Sequence, residues 1–149
     1  MAHIHEQIDF AVTIFITYDN KVLLIHHKKL NRWLPVGGHV ELNENTDQAL
    51  FREVQEECGL EIEVLGEKPT IEASDTTFLY TPSFLNIHKI SDTHQHIGLI
   101  YFAKAKSSAF IHNQEEHNAI RWFSREDLEK EEFNLSNVVR FYANKALDK

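Results

Sequence analysis

A chain of 149 residues with 42% hydrophobic and 26% charged side chains can bury one substantial core and needs no second domain. Its net charge of −8 makes it a poor general binder of nucleic-acid polymers or anionic membranes, although a local basic pocket remains compatible with it. A single cysteine, Cys58, excludes an internal disulfide. Residues 1–7 lack the basic stretch that opens a secretory signal, and the apolar run Phe10–Ile16 is too short to span a membrane, so a cytoplasmic location is expected.

Residues 8–17 are rich in β-branched and aromatic types and predict a strand. Tyr18–Lys21 reads as a turn and Val22–His26 as a second strand, which together make a hairpin. At its end, His26-His27-Lys28-Lys29 is either a solvated strand terminus or a basic rim that attracts phosphate. Pro35 holds Leu34 extended, predicting a short strand that enters a turn at Gly37-Gly38, where missing Cβ atoms also allow close approach to a ligand. A helix is predicted from an N-cap at Thr46 to Cys58, with Asp47 in the first turn and Gly59 just past the end. Leu60–Gly66 alternates as a strand, 67–76 is loop, and 77–90 contains an extended stretch bent at Pro82. A turn at Ser91–Gln95 precedes the clearest later strand, His96–Ala105. A polar loop, Ser107–His117, leads to a short strand, Ala119–Phe123. Ser124 opens a small helix, and Ser136 caps a last one whose Val138, Phe141 and Tyr142 share a side. Mixed strands with one central and one terminal helix predict an α+β layered architecture.

The central helix carries an unusual charge pattern. At 100° per residue, Leu50, Phe51, Val54 and Cys58 face the sheet, which makes Cys58 a buried structural thiol. Glu53, Glu56 and Glu57 fall on a separate arc, with only the small Ala49 one turn before them. Like charges three or four residues apart cost about 0.2–0.5 kcal/mol each. Their place at the negative end of the helix dipole disfavours each by about 0.3–1 kcal/mol more. Arg52 is the one cation nearby in the helix. A divalent ion held by oxygen ligands, Mg²⁺ or Mn²⁺, would offset this repulsion; the competing reading is a solvated acidic face.

The stretch from Gly38 to Leu60 reads G-x5-E-x7-R-E-V-x-E-E-x-G-L, with Glu44, Arg52, Glu53, Glu56, Glu57 and Gly59 in place. It resembles the Nudix hydrolase signature at every specified position. The resemblance implies the Nudix fold, a mixed β-sheet sandwiched between α-helices, over residues 1–149. It also implies metal-dependent hydrolysis of a nucleoside diphosphate linked to another moiety. By resemblance, Glu53, Glu56 and Glu57 are metal ligands with the carbonyl of Gly37, and Glu53 is alternatively the general base. Gly38, Glu44 and Arg52 form the supporting shell. Glu116, in a loop six residues before Trp122, is the best match for a further ligand or base, with Glu115 beside it.

Arg32 and Trp33 are candidate substrate contacts, since an indole can stack on a base; the alternative for Trp33 is core packing. His94 and His96 share a strand face without further clustered ligands in the sequence, so they are read as surface histidines or substrate contacts. The partners expected are a small nucleotide or other diphosphate and a second copy of the chain, with no nucleic-acid polymer and no membrane. The size of the chain and its lack of a large N-terminal sheet extension favour a nucleoside triphosphate pyrophosphohydrolase resembling MutT. Nucleotide-sugar or dinucleotide pyrophosphatases and a non-catalytic nucleotide-sensing module are the alternatives. An isopentenyl diphosphate isomerase shares the fold but needs a cysteine upstream of the signature, and Cys58 lies inside it.

Overall fold

The computed structural model describes residues 7–149, so most of the segment behind the reading against a secretory signal lies outside the described residues. The elements follow as β1 (Ile8–Tyr18), β2 (Lys21–His27), β3 (Arg32–Leu34), β4 (Val36–His39), α1 (Thr46–Glu57), β5 (Ile62–Val64), β6 (Phe84–Ser91), β7 (His94–Ala105), β8 (His117–Phe123), α2 (Arg125–Leu128) and α3 (Asn137–Leu147). A 3-10 turn at Glu131–Phe133 links the last two helices.

The strands form one mixed sheet. Its spine is the parallel pair β1 and β7, in register from Ile8 opposite Gln95 to Thr17 opposite Lys104. The other edge of β1 is shared, β4 pairing with Ala11–Ile14 and β2 with Thr17–Tyr18. β6 and β5 divide the far edge of β7 in the same way, while β2 carries β3 and β8.

Side chains alternate between the two faces of a strand, and two cores result. Val12, Ile14, Ile16, Leu23 and Ile25 pack with Ala49, Leu50, Val54 and Cys58 beneath α1. Phe15, Val22, Leu24, Ile100 and Phe102 pack on the opposite face with Leu128 of α2 and with Val139, Tyr142, Ala143 and Ala146 of α3. Each Val, Leu, Ile or Phe among these, fully buried, stabilises the fold by about 1.5–3 kcal/mol. This is the expected α+β arrangement, a mixed sheet between helices.

Several local expectations need correction. The N-cap of α1 is Asn45, not Thr46: its Oδ1 accepts from Gln48 N–H while Gln48 Oε1 accepts from Asn45 N–H, both at 2.9 Å. Phe51 is exposed and meets Tyr80 edge-on, because the small Ala49 takes the buried place and lets the helix lie close to the sheet. In α3 the buried stripe is Val139, Tyr142, Ala143 and Ala146, at the i, i+3, i+4, i+7 spacing, which leaves Val138 and Phe141 exposed. Of residues 77–90 only the part from Phe84 joins the sheet; Pro82, just before it, has no N–H to give a ladder. Gly37-Gly38 lies within β4 rather than in a turn, and the left-handed residue comes later, at Asn43 with φ of 65°. Gly59, with φ of 64°, does end α1 as expected. No helix among the described residues is long and apolar enough to cross a membrane.

Candidate active site

β4 and α1 build the site against each other. Val40 donates to the carbonyl of Phe10, so Gly38 and Val40 are the ladder-bonded positions and the polar groups of Gly37 point away from β1. Gly37 N–H donates instead to Glu57 Oε1 at 2.8 Å, and its carbonyl is left outside the ladder. Something must shift if either glycine gains a side chain. A Cβ on Gly37 would lie 2.3 Å from the Val12 carbonyl oxygen, and one on Gly38 only 2.2 Å from Glu53 Oε1. The need for glycine here is close approach alone.

Arg52 is the hub. Its Nε and Nη2 donate to the two carboxylate oxygens of Glu44, at 2.7 and 2.9 Å, a bidentate pair. Nη1 donates to Glu53 Oε1 at 2.8 Å and to Glu56 Oε2 at 3.2 Å, and Nη2 also reaches the carbonyl of His39 at 3.0 Å. Two of these glutamates titrate in opposite directions. Glu44 is lowered to about 2, chiefly by its hydrogen bond from Arg52. Glu53 is raised to about 7, chiefly by burial, which with repulsion from Glu57 and Glu56 outweighs the pull of Arg52.

Glu57 is buried against the sheet. Its Oε2 lies 3.0 Å from Nε2 of His117, a residue the sequence reading did not single out, which is 2% exposed at the start of β8. The alternation of β8 turns His117 inward, and the preceding residue, Glu116, is exposed, with its backbone carbonyl accepting from Lys28 N–H. Lys28 Nζ also donates to the carbonyl of Gln114, so Lys28, just after β2, braces this loop. Cys58 is buried and its thiol pushed up to about 11 by burial, which suits the structural role expected of it.

The two expected substrate contacts, Arg32 and Trp33, are both on β3. Trp33 pairs with His26 on the face opposite α1 and meets the rings of Phe123 and Phe133 at 5.0 and 6.1 Å. Trp33 is thus packed in an aromatic cluster, the alternative to stacking on a base. Arg32 is exposed at the start of β3, and after burial its charge is what lowers His88.

An oxygen-preferring cation fits the donor set on α1. Glu53 sits desolvated beneath Gly38, repelled by Glu57 and Glu56, and Gly37 offers a carbonyl outside the ladder. As they stand, Arg52 splays Glu56 outward while Glu57 is drawn to Gly37 and His117. Among the described residues, Asp9, His94 and His96 are the one trio whose ligand atoms lie within 4.8 Å of one another. The histidine pair therefore does have clustered neighbours, contrary to the sequence reading, because strand register brings them from distant positions.

Comparison with known proteins follows the same lines. The sequence model of the NUDIX domain matches residues 8–142. A NUDIX-family hydrolase from Clostridium perfringens superposes with a TM-score of 0.79 at 32% identity, covering 94% of this chain and 96% of that one. A MutT NUDIX hydrolase from Burkholderia pseudomallei gives 0.69 at 24% identity, covering 96% and 98%, a likeness of fold. The m7GpppN-mRNA hydrolase NUDT17 of Xenopus laevis is 40% identical over 62 residues, 38% of this chain and 21% of that protein. The chain thus matches about a fifth of that relative's length.

Proposed function

Because the chain belongs to the NUDIX family and is a Nudix-type hydrolase, we propose that it uses Mg²⁺ or Mn²⁺ to cleave a pyrophosphate bond in a nucleoside diphosphate linked to another moiety, and that the substrate is a nucleoside triphosphate in the cytoplasm. The observation that carries the reading is Glu53 and Glu56 sharing Arg52 Nη1, with Glu57 held beside them against Gly37. Glu53, Glu56 and Glu57 would hold the ion with the Gly37 carbonyl, and Glu116 is the remaining carboxylate of this scheme. When bound, a divalent ion neutralises the phosphate oxygens and lowers the pKa of an attacking water.

The chain's own groups do the rest. Arg52 fixes the carboxylate directions, and its bidentate partner Glu44 keeps that guanidinium charged and in place. In the alternative role, with the ion on Glu56, Glu57 and the Gly37 carbonyl, Glu53 Oε1 stays held by Arg52, which leaves Oε2 to accept a proton from water. Burial raises this carboxyl in the metal-free protein, which makes it a stronger base than an ordinary one, and a neighbouring cation would keep it ionised. Gly37 N–H and His117 Nε2 fix the two oxygens of Glu57.

The test is release of phosphate or pyrophosphate across a panel of nucleoside triphosphates, nucleotide sugars and dinucleotides with Mg²⁺. A capped RNA end belongs in the panel, since one relative is named for that substrate and the bond is of the same kind. Turnover should appear with nucleoside triphosphates and fall by about 10²-fold or more in Glu56→Gln and Glu57→Gln. No release from any member, or normal release in both variants, would defeat the reading.

A further inference from the structure

We propose that Asp9, His94 and His96 form a second metal site, on the face of the sheet away from α1, which takes a nitrogen-preferring divalent transition ion of the Zn²⁺ class rather than Mg²⁺. The register of the sheet assembles it. Asp9 on β1 is the direct partner of His96 on β7, and His94 lies two residues earlier on the same face. On the other side of β1, His39 of β4 is the partner of Ala11, and Ala11 in turn faces Gly98. With only a methyl group and a hydrogen at those two positions, the His39 ring can reach across β1 to His96. These positions share the face of Phe15, Ile100 and Phe102, which α3 covers further along the strands. At the site itself α3 has ended its cover: Asn86 of β6, bonded to Tyr142, marks the border.

The distances suit an ion. His94 Nε2 lies 3.0 Å from Asp9 Oδ2, and His96 Nε2 lies 3.0 Å from His39 Nε2. Each pair shares a proton in the metal-free protein, and a cation would take that proton's place. Zn–N bonds of about 2.0–2.1 Å put neighbouring tetrahedral donors roughly 3.3 Å apart, so those two pairs need to open by only a few tenths of an ångström, while the donors of the trio, within 4.8 Å of one another, draw in around the ion. Displacing the proton from His96 frees His39 to turn toward the same ion as a fourth donor. Two or three imidazoles and one carboxylate favour Zn²⁺, Co²⁺ or Ni²⁺, whereas Mg²⁺ demands oxygen. Beyond the ligands, His88 faces His96 across β6 and β7 and has its Nδ1 on Asn86 Oδ1 at 2.9 Å. That amide is oriented by Tyr142, giving the cluster an ordered flank.

A bound ion would tie the start of β1 to β7 and, through His39, to the segment that carries Glu44. His39 also gives its carbonyl to Arg52, so the new site borders the glutamate cluster through the backbone of β4 without sharing a side-chain ligand with it. The inference is independent of the hydrolytic reading.

Calorimetric titration of the full chain with Zn²⁺, in excess Mg²⁺ to occupy the glutamates, is the test. One Zn²⁺ per chain should bind, and His94→Asn and His96→Asn should each weaken it by at least about tenfold. Glu56→Gln should leave it unchanged. Far-UV circular dichroism checks that the variants fold, and Asp9→Asn, at an exposed position, supplies a third. Co²⁺ in place of Zn²⁺ should give visible absorption that the histidine variants lose. Binding unaffected by both histidine variants, or abolished by Glu56→Gln alone, would overturn the proposal, as would no Zn²⁺ binding at all.

Discussion

Glu53 and Glu44 share one arginine, yet burial decides the first and hydrogen bonding the second. Glu44 is a lowered acid: its stabilising bond to Arg52 is fully present above pH 4.5 and fades as pH falls toward about 2. Glu53 is a raised acid, and the sign reverses. Below pH 4.5 it is protonated whether folded or not; as pH climbs from there to about 7, the unfolded chain ionises while the buried carboxyl resists, and stability is lost. Metal-free protein should therefore become less stable to urea between pH 4.5 and 7.5, and Glu53→Gln should flatten much of that slope while cutting kcat by about 10²–10⁴. An equally steep slope in Glu53→Gln would show that the buried carboxyl is not its origin. The sequence showed that three glutamates crowd one arc. Which of them is desolvated depends on Gly38 lying directly over Glu53, a contact between β4 and α1 that helical periodicity does not contain.

Elements were legible where one local rule set them. The first hairpin, the helix behind the signature and the caps at Ser124 and Ser136 all follow from patterns within a few residues. What was missed depends on packing or register. Phe51 and Val138 sit on helix flanks whose burial is settled by neighbours, and His117 turns inward only because β8 starts two residues earlier than its apolar run suggests. The histidine cluster comes from β1, β4 and β7, three strands widely separated in the chain. The glycine pair in β4 offers a test at this scale. Gly37→Ala presses a methyl into the Val12 carbonyl, which is backbone and can hardly yield, so about 3 kcal/mol of stability should be lost. Gly38→Ala presses on the end of a side chain, Glu53, which can swing aside. Stability should then change by less than about 1 kcal/mol while kcat falls by about 10²-fold through misplacement of that carboxylate. Comparable melting temperatures for the two variants would contradict this division.

At the scale of the whole molecule, charge and fold make the same demand on the solvent. The chain carries a net −8, and its glutamates gather on a helix whose other side is bound into the core. Any salt screens the general repulsion, over a Debye length of about 10 Å at 0.1 M. A cation that ligates the glutamates does more, because only the folded chain holds them together. At a hundredfold excess over its Kd, such an ion stabilises by about 2.7 kcal/mol, which raises the melting temperature of a domain this size by roughly 5–10 °C. Mg²⁺ should therefore raise the midpoint well beyond NaCl of matched ionic strength, and chelator should reverse it. The double variant Glu56→Gln/Glu57→Gln should keep the salt response and lose the Mg²⁺ excess. Equal shifts from Mg²⁺ and matched NaCl would assign the whole effect to screening and leave the glutamates as a solvated acidic face.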